Sequence, residues 1–125
     1  MVGLAYEKNY QIWHHRRCIA ELLGTKLDTK AEMNFLKMIF DSDCKNFHAW
    51  SYRTWAVERF QLFDGEFDFT EKLLDNDVTN NSVWVYRNFI LNKAPRNLLP
   101  SDLQHRVGTE PFVRAEILRC FKRIN

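Results

Sequence analysis

The chain has 125 residues, of which 18 are basic and 16 acidic, and it is 46% hydrophobic and 14% aromatic. This length suits one small domain, or part of a larger protein, that buries roughly two-thirds of its unfolded surface. The net charge is +2, and the sequence lacks the basic stripe that is typical of nucleic-acid-binding proteins. It also lacks a run of about eighteen apolar residues, so no membrane span is predicted.

The three cysteines, Cys18, Cys44 and Cys120, are odd in number and lie far apart in the sequence. No C-x-x-C pair occurs, so the pattern predicts neither a disulfide framework nor a cysteine zinc site. Free thiols are typical of a reducing compartment. The first residues, "MVGLAYEK", lack the basic flank and apolar run of a secretory signal. We therefore expect a cytoplasmic protein.

Three stretches repeat one pattern around a tryptophan: "KNYQIWHHR", "KNFHAWSYR" and "TNNSVWVYR". The tryptophans are 37 and 34 residues apart, and each has an asparagine four residues before it and an arginine three residues after it. The repeated residues are Asn9, Trp13 and Arg16, then Asn46, Trp50 and Arg53, then Asn80, Trp84 and Arg87. A period near 35 residues is typical of helical hairpin repeats.

This period predicts an all-α fold of the alpha-alpha superhelix class, a right-handed solenoid of stacked helical hairpins. We expect a single domain with three repeats, at about 8–43, 44–77 and 78–125. No segment alternates apolar and polar residues with a period of two, so no strand is expected.

In chain order, the first tryptophan helix should end at Gly24, a residue that suits a helix C-terminus. A second helix should begin at Thr29, with Glu32 completing a capping box. The apolar residues of this helix that share one face are Phe35, Leu36, Ile39 and Phe40. In the second repeat, "FDGEF" predicts the turn before "DFTEKLLDND".

In the third repeat, a longer loop with two prolines precedes "TEP", which is a strong helix start. The residues of the last helix that we expect to point inward are Phe112, Ala115, Leu118 and Phe121.

The residues common to all three copies are expected to be structural, because every repeat must solve the same packing problem. Each asparagine should lie where a helix begins and accept hydrogen bonds from free backbone amides. Tryptophan and arginine, three residues apart, share a helix face. The arginine should therefore pack near the ring and pair with carbonyls or with an acid of the next hairpin.

Positions that differ between copies are the better functional candidates. These are Lys8, Tyr10 and Gln11 in the first copy, Lys45, Phe47 and His48 in the second, and Thr79, Asn81 and Ser82 in the third. In a solenoid, such positions should line up along one edge beside helix N-termini. This rim of polar residues would suit a phosphate group or a carboxylate.

The adjacent pair His14 and His15 is not expected to hold a metal, because neighbouring helical residues point about 100° apart. The other copies have Ser51-Tyr52 and Val85-Tyr86 there, which indicates variable surface or contacts between repeats. Arg17 is expected to be a solvated or interface charge.

The stretches "KNYQIWHHRR", "CKNFHAWSYRTW" and "NNSVW" resemble the repeats of the protein prenyltransferase α subunit. The closest resemblance is to the α subunit shared by protein farnesyltransferase and type I geranylgeranyltransferase, and it covers almost the whole chain. It implies a crescent of helical hairpins around a separate β subunit. Such a heterodimer transfers a farnesyl or geranylgeranyl group from its diphosphate to the cysteine of a C-terminal CaaX sequence, as in small GTPases. The resemblance places the zinc ion on the β subunit, with no metal on this chain, and leaves magnesium use open.

The resemblance also implies roles for individual residues. Lys8 matches the catalytic lysine beside the isoprenoid diphosphate. Tyr10 and His48 match residues that donate hydrogen bonds to that diphosphate, and Gln11 matches the glutamine that receives the CaaX carboxylate. Phe47 departs from the pattern, because the family usually has a tyrosine there.

Family α subunits are longer than this chain, which begins at the first copy's helix and ends about where another repeat would begin. We therefore expect uncapped ends with exposed apolar faces. Two alternatives remain. One is the related Rab geranylgeranyltransferase α subunit, whose pattern lacks the lysine and glutamine at positions 8 and 11. The other is a non-catalytic adaptor of the tetratricopeptide kind, which the period alone permits.

Overall fold

The computed structural model describes the backbone of residues 2–124 and the side chains of residues 9–119. Within this part of the chain, every regular element is a helix, which confirms the predicted all-α fold. The helices are α1 (Val2–Leu23), α2 (Thr29–Ser42), α3 (Phe47–Phe60), α4 (Glu66–Asn76), α5 (Asn81–Lys93) and α6 (Glu110–Ile124). Short 3-10 turns at Gly24–Lys26 and Arg96–Leu98 follow α1 and α5. None of the described helices is both long enough and apolar enough to cross a bilayer.

The helices form two compact units, Met1–Trp55 and Ala56–Asn125. The first unit contains α1, α2 and most of α3, and the second contains α4, α5 and α6. That all three repeats form a single domain stays a prediction.

The ends of α1 and α2 are set by Gly24 and Asp28. Helix α1 ends at Leu23, and Gly24 takes a φ of +52°, which confirms the predicted stop because this left-handed conformation favours glycine. The side chain of Asp28 accepts a hydrogen bond from the amide of Ala31 at 3.0 Å and so caps α2. The predicted capping box was wrong, because Asp28 takes the capping position and leaves the Glu32 carboxylate for other partners.

Two of the three repeated asparagines cap helices as predicted. The side chain of Asn46 accepts from the amide of Ala49 at 3.1 Å, at the start of α3. That of Asn80 accepts from the amides of Ser82 and Val83, at 3.0 and 3.4 Å, at the start of α5. These bonds satisfy backbone donors that have no partner within the helix.

The prediction for Asn9 was wrong, because this residue lies well inside α1, which begins at Val2. The reason is visible three residues before each asparagine. There the second and third copies have Asp43 and Asp77, whose carboxylates accept from backbone amides two residues later and make a turn. The first copy has Tyr6 at this position, which has no such acceptor, so the helix continues.

The repeated tryptophans of the second and third copies fasten the turn before their helix. The indole N–H of Trp50 donates to the carbonyl of Cys44 at 2.9 Å, and that of Trp84 donates to the carbonyl of Val78 at 2.7 Å. In each case the carbonyl lies six residues earlier, just before the capping asparagine. The asparagine and the tryptophan therefore hold the same turn from both sides.

The core of the first unit lies along the predicted apolar face of α2. Leu36 and Phe40 are buried there, and the Phe40 ring stacks on Trp50 with centroids 4.1 Å apart. The ring centroids of Trp13 and Phe35 are 5.9 Å apart. Burying a side chain such as Leu36 stabilises the fold by about 1.5–3 kcal/mol.

In the second unit, the inward face of α6 differs from the predicted one. Phe112 is buried as expected, but Ala115 and Leu118 are exposed, and Phe121 lies outside the described side chains. The positions that turn inward are those of Glu116 and Arg119, because both form ion pairs with α4 or α5. A search for apolar positions alone therefore selects the wrong face of this helix.

Candidate functional site

The arginine of the first copy forms a three-residue cluster with a carboxylate and a tyrosine. The guanidinium of Arg16 donates to both oxygens of Glu32, at 2.9 and 2.7 Å, and lies 3.8 Å from the centroid of Phe35. The hydroxyl of Tyr52, on α3, donates to the same carboxylate at 2.7 Å. Burial raises the pKa of Tyr52, and the adjacent carboxylate adds to the rise.

Among the described side chains, the second unit repeats the arginine–glutamate pair without a tyrosine on the same carboxylate. The guanidinium of Arg87 donates to both oxygens of Glu116, each at 3.0 Å, and also to Glu71. Arg119 donates to both oxygens of Glu71 at 3.1 Å. Burial by itself would raise the pKa of Glu71, but the hydrogen bonds and charges of these two arginines outweigh it and hold that pKa below its usual value.

These pairs correct the predicted partner of the repeated arginine. The acid was expected on the next hairpin, but Glu32 and Glu116 belong to the same copy as their arginine, and Glu71 belongs to the preceding one. The second-copy arginine, Arg53, is buried, and its guanidinium lies 6.0 Å from the centroid of Phe40. The shared arginines are thus engaged within their units.

Two contacts fix how α1 and α3 lie beside each other in the first unit. The rings of Trp13 and Tyr52 have centroids 5.5 Å apart, and the Arg17 guanidinium lies 4.7 Å from the centroid of Trp55. Both pairs advance in the same direction along the two helices, so α1 and α3 run parallel here. Continued one turn toward the N-termini, this register brings the levels of residues 10 and 48 together.

By this extrapolation, Tyr10 on α1 and His48 on α3 lie at about the same level of the first unit. The Tyr10 side chain is exposed and stacks on His14, with centroids 6.2 Å apart. Gln11 is exposed, and His48 is half-buried with its ring against Phe47. The side chain of Lys8 lies outside the described residues.

Only part of this rim has the helix N-termini that we expected. Phe47 and His48 are the first two residues of α3, where free amides and the helix dipole favour an anion. Tyr10 and Gln11 lie in the interior of α1, so the first copy has no helix N-terminus beside them, for the same reason that Asn9 is not a cap. The third-copy residues Thr79, Asn81 and Ser82 belong to the second unit.

No metal-binding cluster of three or more His, Cys, Asp or Glu residues occurs among the side chains of residues 9–119. His14 Nε2 lies 3.7 Å from Cys18 Sγ on the exposed surface of α1, which supplies two ligands at most. Arg17, which was predicted to be a solvated or interface charge, is exposed, and its guanidinium lies over the Trp55 ring of the same unit.

Comparison with known proteins identifies the family. The model of the protein prenyltransferase alpha subunit repeat matches residues 3–23, 29–60 and 63–94, which is more than half of the chain. The chain belongs to the protein prenyltransferase alpha subunit family. This membership and the all-helical structure of the described residues both agree with the predicted alpha-alpha superhelix class.

A curated relative of this family is the geranylgeranyl transferase type-2 subunit alpha of Candida albicans. It is 37% identical to this chain over 59 residues, which are 46% of the chain and 16% of that relative. The chain thus matches about a sixth of the length of that prenyltransferase subunit.

The repeats of the family model begin and end at different residues from the three copies that were defined by the tryptophans. Two of its matches, 29–60 and 63–94, each join a second helix to the first helix of the following copy. Each match encloses one glutamate–tyrosine hydrogen bond, Glu32 with Tyr52 and Glu66 with Tyr86. Sequence reasoning missed these pairs, although both have a separation of 20 residues and lie 34 residues apart, as Trp50 and Trp84 do.

Proposed function

We propose that this chain is the α subunit, or part of the α subunit, of a CaaX protein prenyltransferase of the farnesyltransferase or type I geranylgeranyltransferase kind. Together with a β subunit, it would transfer a farnesyl or geranylgeranyl group from its diphosphate to a CaaX cysteine. The observation that carries the proposal is the parallel register of α1 and α3. Extended by one helical turn, this register would put Tyr10 at the level of His48, which is 38 positions later in the sequence.

The chemistry of the reaction explains why these residue types would be needed. The thiolate sulfur forms a bond to the isoprenoid carbon while the carbon–oxygen bond to diphosphate breaks, so negative charge grows on the departing phosphate. Donors placed at that charge stabilise the transition state more than the ground state. The ammonium of Lys8 would provide the largest such effect, and the hydroxyl of Tyr10 and the imidazole of His48 would orient the diphosphate.

The remaining roles follow from the same assignment. Gln11 would receive the C-terminal carboxylate of the substrate, and the N-terminus of α3 favours an anion beside His48. Phe47 offers no hydroxyl, so Tyr10 carries more of the hydrogen bonding to phosphate. The zinc that activates the cysteine would be held by the β subunit, and magnesium would act on the diphosphate if it is used. Small GTPases with CaaX ends in the cytoplasm would be the substrates.

A Rab-type geranylgeranyltransferase subunit is the second candidate, and similarity to the type-2 subunit of Candida albicans favours it. The residues at positions 8 and 11 favour the CaaX enzymes instead. A tetratricopeptide-like adaptor has less support, because the family repeats match and because each copy has tryptophan and arginine where tetratricopeptides have small residues.

The test is co-expression of this chain with a β subunit of each of the two enzyme types. The expected result is a one-to-one complex with the CaaX-type subunit that prenylates a short CaaX peptide. A complex formed only with the Rab-type subunit, and inactive on the peptide, would support the second candidate. Failure to associate with either subunit would contradict both and favour an adaptor.

A further inference from the structure

The exposed surface of α1 has a pair of metal-ligating side chains, His14 and Cys18, that the proposed function does not use. The two residues are four positions apart, so they lie on the same face of the helix. His14 Nε2 and Cys18 Sγ are 3.7 Å apart, and both residues are exposed. The neighbouring histidine, His15, points about 100° away around the helix axis and does not share this face.

The distance between the two atoms is one that a single zinc ion spans. Zinc lies about 2.1 Å from a histidine nitrogen and about 2.3 Å from a cysteine sulfur. With these bond lengths and a separation of 3.7 Å, the angle between the two bonds at the ion would be about 115°, close to the tetrahedral angle that zinc favours. One ion can therefore bind both atoms without a change in the distance between them.

The chemistry of the two donors also suits zinc. Imidazole nitrogen and thiolate sulfur are ligands of both structural and catalytic zinc. His14 would bind the ion through the lone pair of Nε2, with Nδ1 protonated, and the thiol of Cys18 would release its proton to solvent. The Tyr10 ring lies nearly parallel to the His14 ring, at an angle of 3° and with centroids 6.2 Å apart. This neighbour restricts rotation of the imidazole, which lowers the entropy cost of binding.

Solvent reaches this face of the tryptophan helix in all three copies of the repeat. Ser51 on α3 and Val85 on α5 directly follow the repeated tryptophan, as His14 does on α1, and both are exposed. The counterpart of Cys18 on α3, Trp55, is half-buried, so this position also keeps contact with solvent. The access of solvent to the pair is therefore shared by the internal copies and does not depend on where α1 lies in the chain.

We propose that His14 and Cys18 bind one zinc ion through Nε2 and Sγ. Among the side chains of residues 9–119, no third His, Cys, Asp or Glu completes a metal cluster with them. The pair therefore fills two of the four positions around the ion, and water or donor atoms of another molecule fill the other two. This site is separate from the catalytic zinc that a β subunit would hold, and it does not depend on the proposed transferase activity.

The test is calorimetric titration of the full 125-residue chain, without an affinity tag and under a reductant that is not a thiol, with zinc chloride. One zinc ion should bind per chain. His14→Ala and Cys18→Ser should each weaken this binding by about tenfold or more, because each removes one of the two protein ligands. Cobalt, a coloured substitute for zinc, should give a sulfur-to-metal charge-transfer band with the wild type that Cys18→Ser abolishes.

The matched controls are His15→Ala, which removes an exposed histidine from another face of α1, and Cys44→Ser, which removes another exposed cysteine of the first unit. Both should keep the cobalt band and a zinc affinity within about twofold of the wild type. Circular dichroism checks the fold of each variant, and His14→Gln and Cys18→Ala replace a variant that does not fold. A wild-type chain that binds no zinc would overturn the proposal. So would unchanged binding in His14→Ala or Cys18→Ser, or a control that weakens binding as much as they do.

Discussion

Replacement of Tyr52 by phenylalanine tests whether the glutamate–tyrosine bond joins α2 to α3. The hydroxyl is buried and donates to Glu32 at 2.7 Å, and a hydrogen bond to a charged group contributes roughly 1.5–3 kcal/mol. Because Glu32 keeps both bonds from Arg16, the loss should fall in the lower half of this range. We expect Tyr52→Phe to lower the free energy of unfolding by about 2 kcal/mol, and the melting temperature by roughly 6–10 °C.

Urea unfolding followed by circular dichroism measures this change. The matched control is Tyr10→Phe, which removes an exposed hydroxyl and should change the free energy of unfolding by less than about 0.5 kcal/mol. In a double-mutant cycle with Glu32→Gln, the two substitutions should couple by about 1 kcal/mol or more. A loss below about 0.5 kcal/mol for Tyr52→Phe, or no coupling, would refute the assignment of this bond.

Three further results follow from the caps and the pKa shifts. Asn80→Ala removes two cap hydrogen bonds and should lower the free energy of unfolding by about 1–2 kcal/mol. Asn9→Ala, inside α1, should leave it unchanged or raise it by roughly a few tenths of a kcal/mol. Equal losses for the two variants in urea unfolding would contradict the helix bounds. The pKa of Glu71 is lower in the folded state, so the free energy of unfolding of the wild type should fall as the pH drops below about 4. Glu71→Gln should be less stable than the wild type at neutral pH, and its free energy of unfolding should change less with pH in acid. The same pH dependence for both proteins would argue against the ion pairs. The pKa of Tyr52 is raised on folding, so the free energy of unfolding of the wild type should fall with pH above about pH 10 more steeply than that of Tyr52→Phe. The same pH dependence for both proteins would contradict the burial of the Tyr52 hydroxyl.

The periodic part of the fold could be read from the sequence. The recurrence of tryptophan, asparagine and arginine predicts helical hairpins, because each copy must cap a helix and fill the same space. Gly24 ends α1, and Asn46 and Asn80 begin α3 and α5 as predicted. These features depend on a few neighbouring residues, which is why one sequence suffices to locate them.

The errors came where the copies differ or where polar residues face inward. The pattern at Asn9 matches the other copies, but the turn depends on an aspartate three residues earlier, and the first copy has Tyr6 there. In α6, Glu116 and Arg119 turn inward because they meet charges on α4 and α5. Those partners lie 29 and 48 residues away, so no local pattern could select that face.

The residues of the candidate site could be proposed from the sequence, whereas their arrangement in space could not. Comparison of the copies picked out Tyr10, Gln11 and His48 as positions that differ. We infer the common level of residues 10 and 48 from the contacts of Trp13 with Tyr52 and of Arg17 with Trp55, and these contacts are tertiary packing that the sequence does not reveal. The expected helix N-terminus exists only on α3, because α1 extends past its copy of the motif.

The measurement that tests the proposed function most directly is the single-turnover rate of CaaX-peptide prenylation by the complex with a β subunit, compared for Lys8→Ala and its second-copy counterpart Lys45→Ala. The account predicts that Lys8→Ala slows the chemical step by about 100-fold or more without loss of the complex, because it removes a charge aimed at the departing diphosphate. Lys45→Ala should leave this rate nearly unchanged. A Lys8→Ala rate within about twofold of the wild type would contradict the proposed role of the first copy.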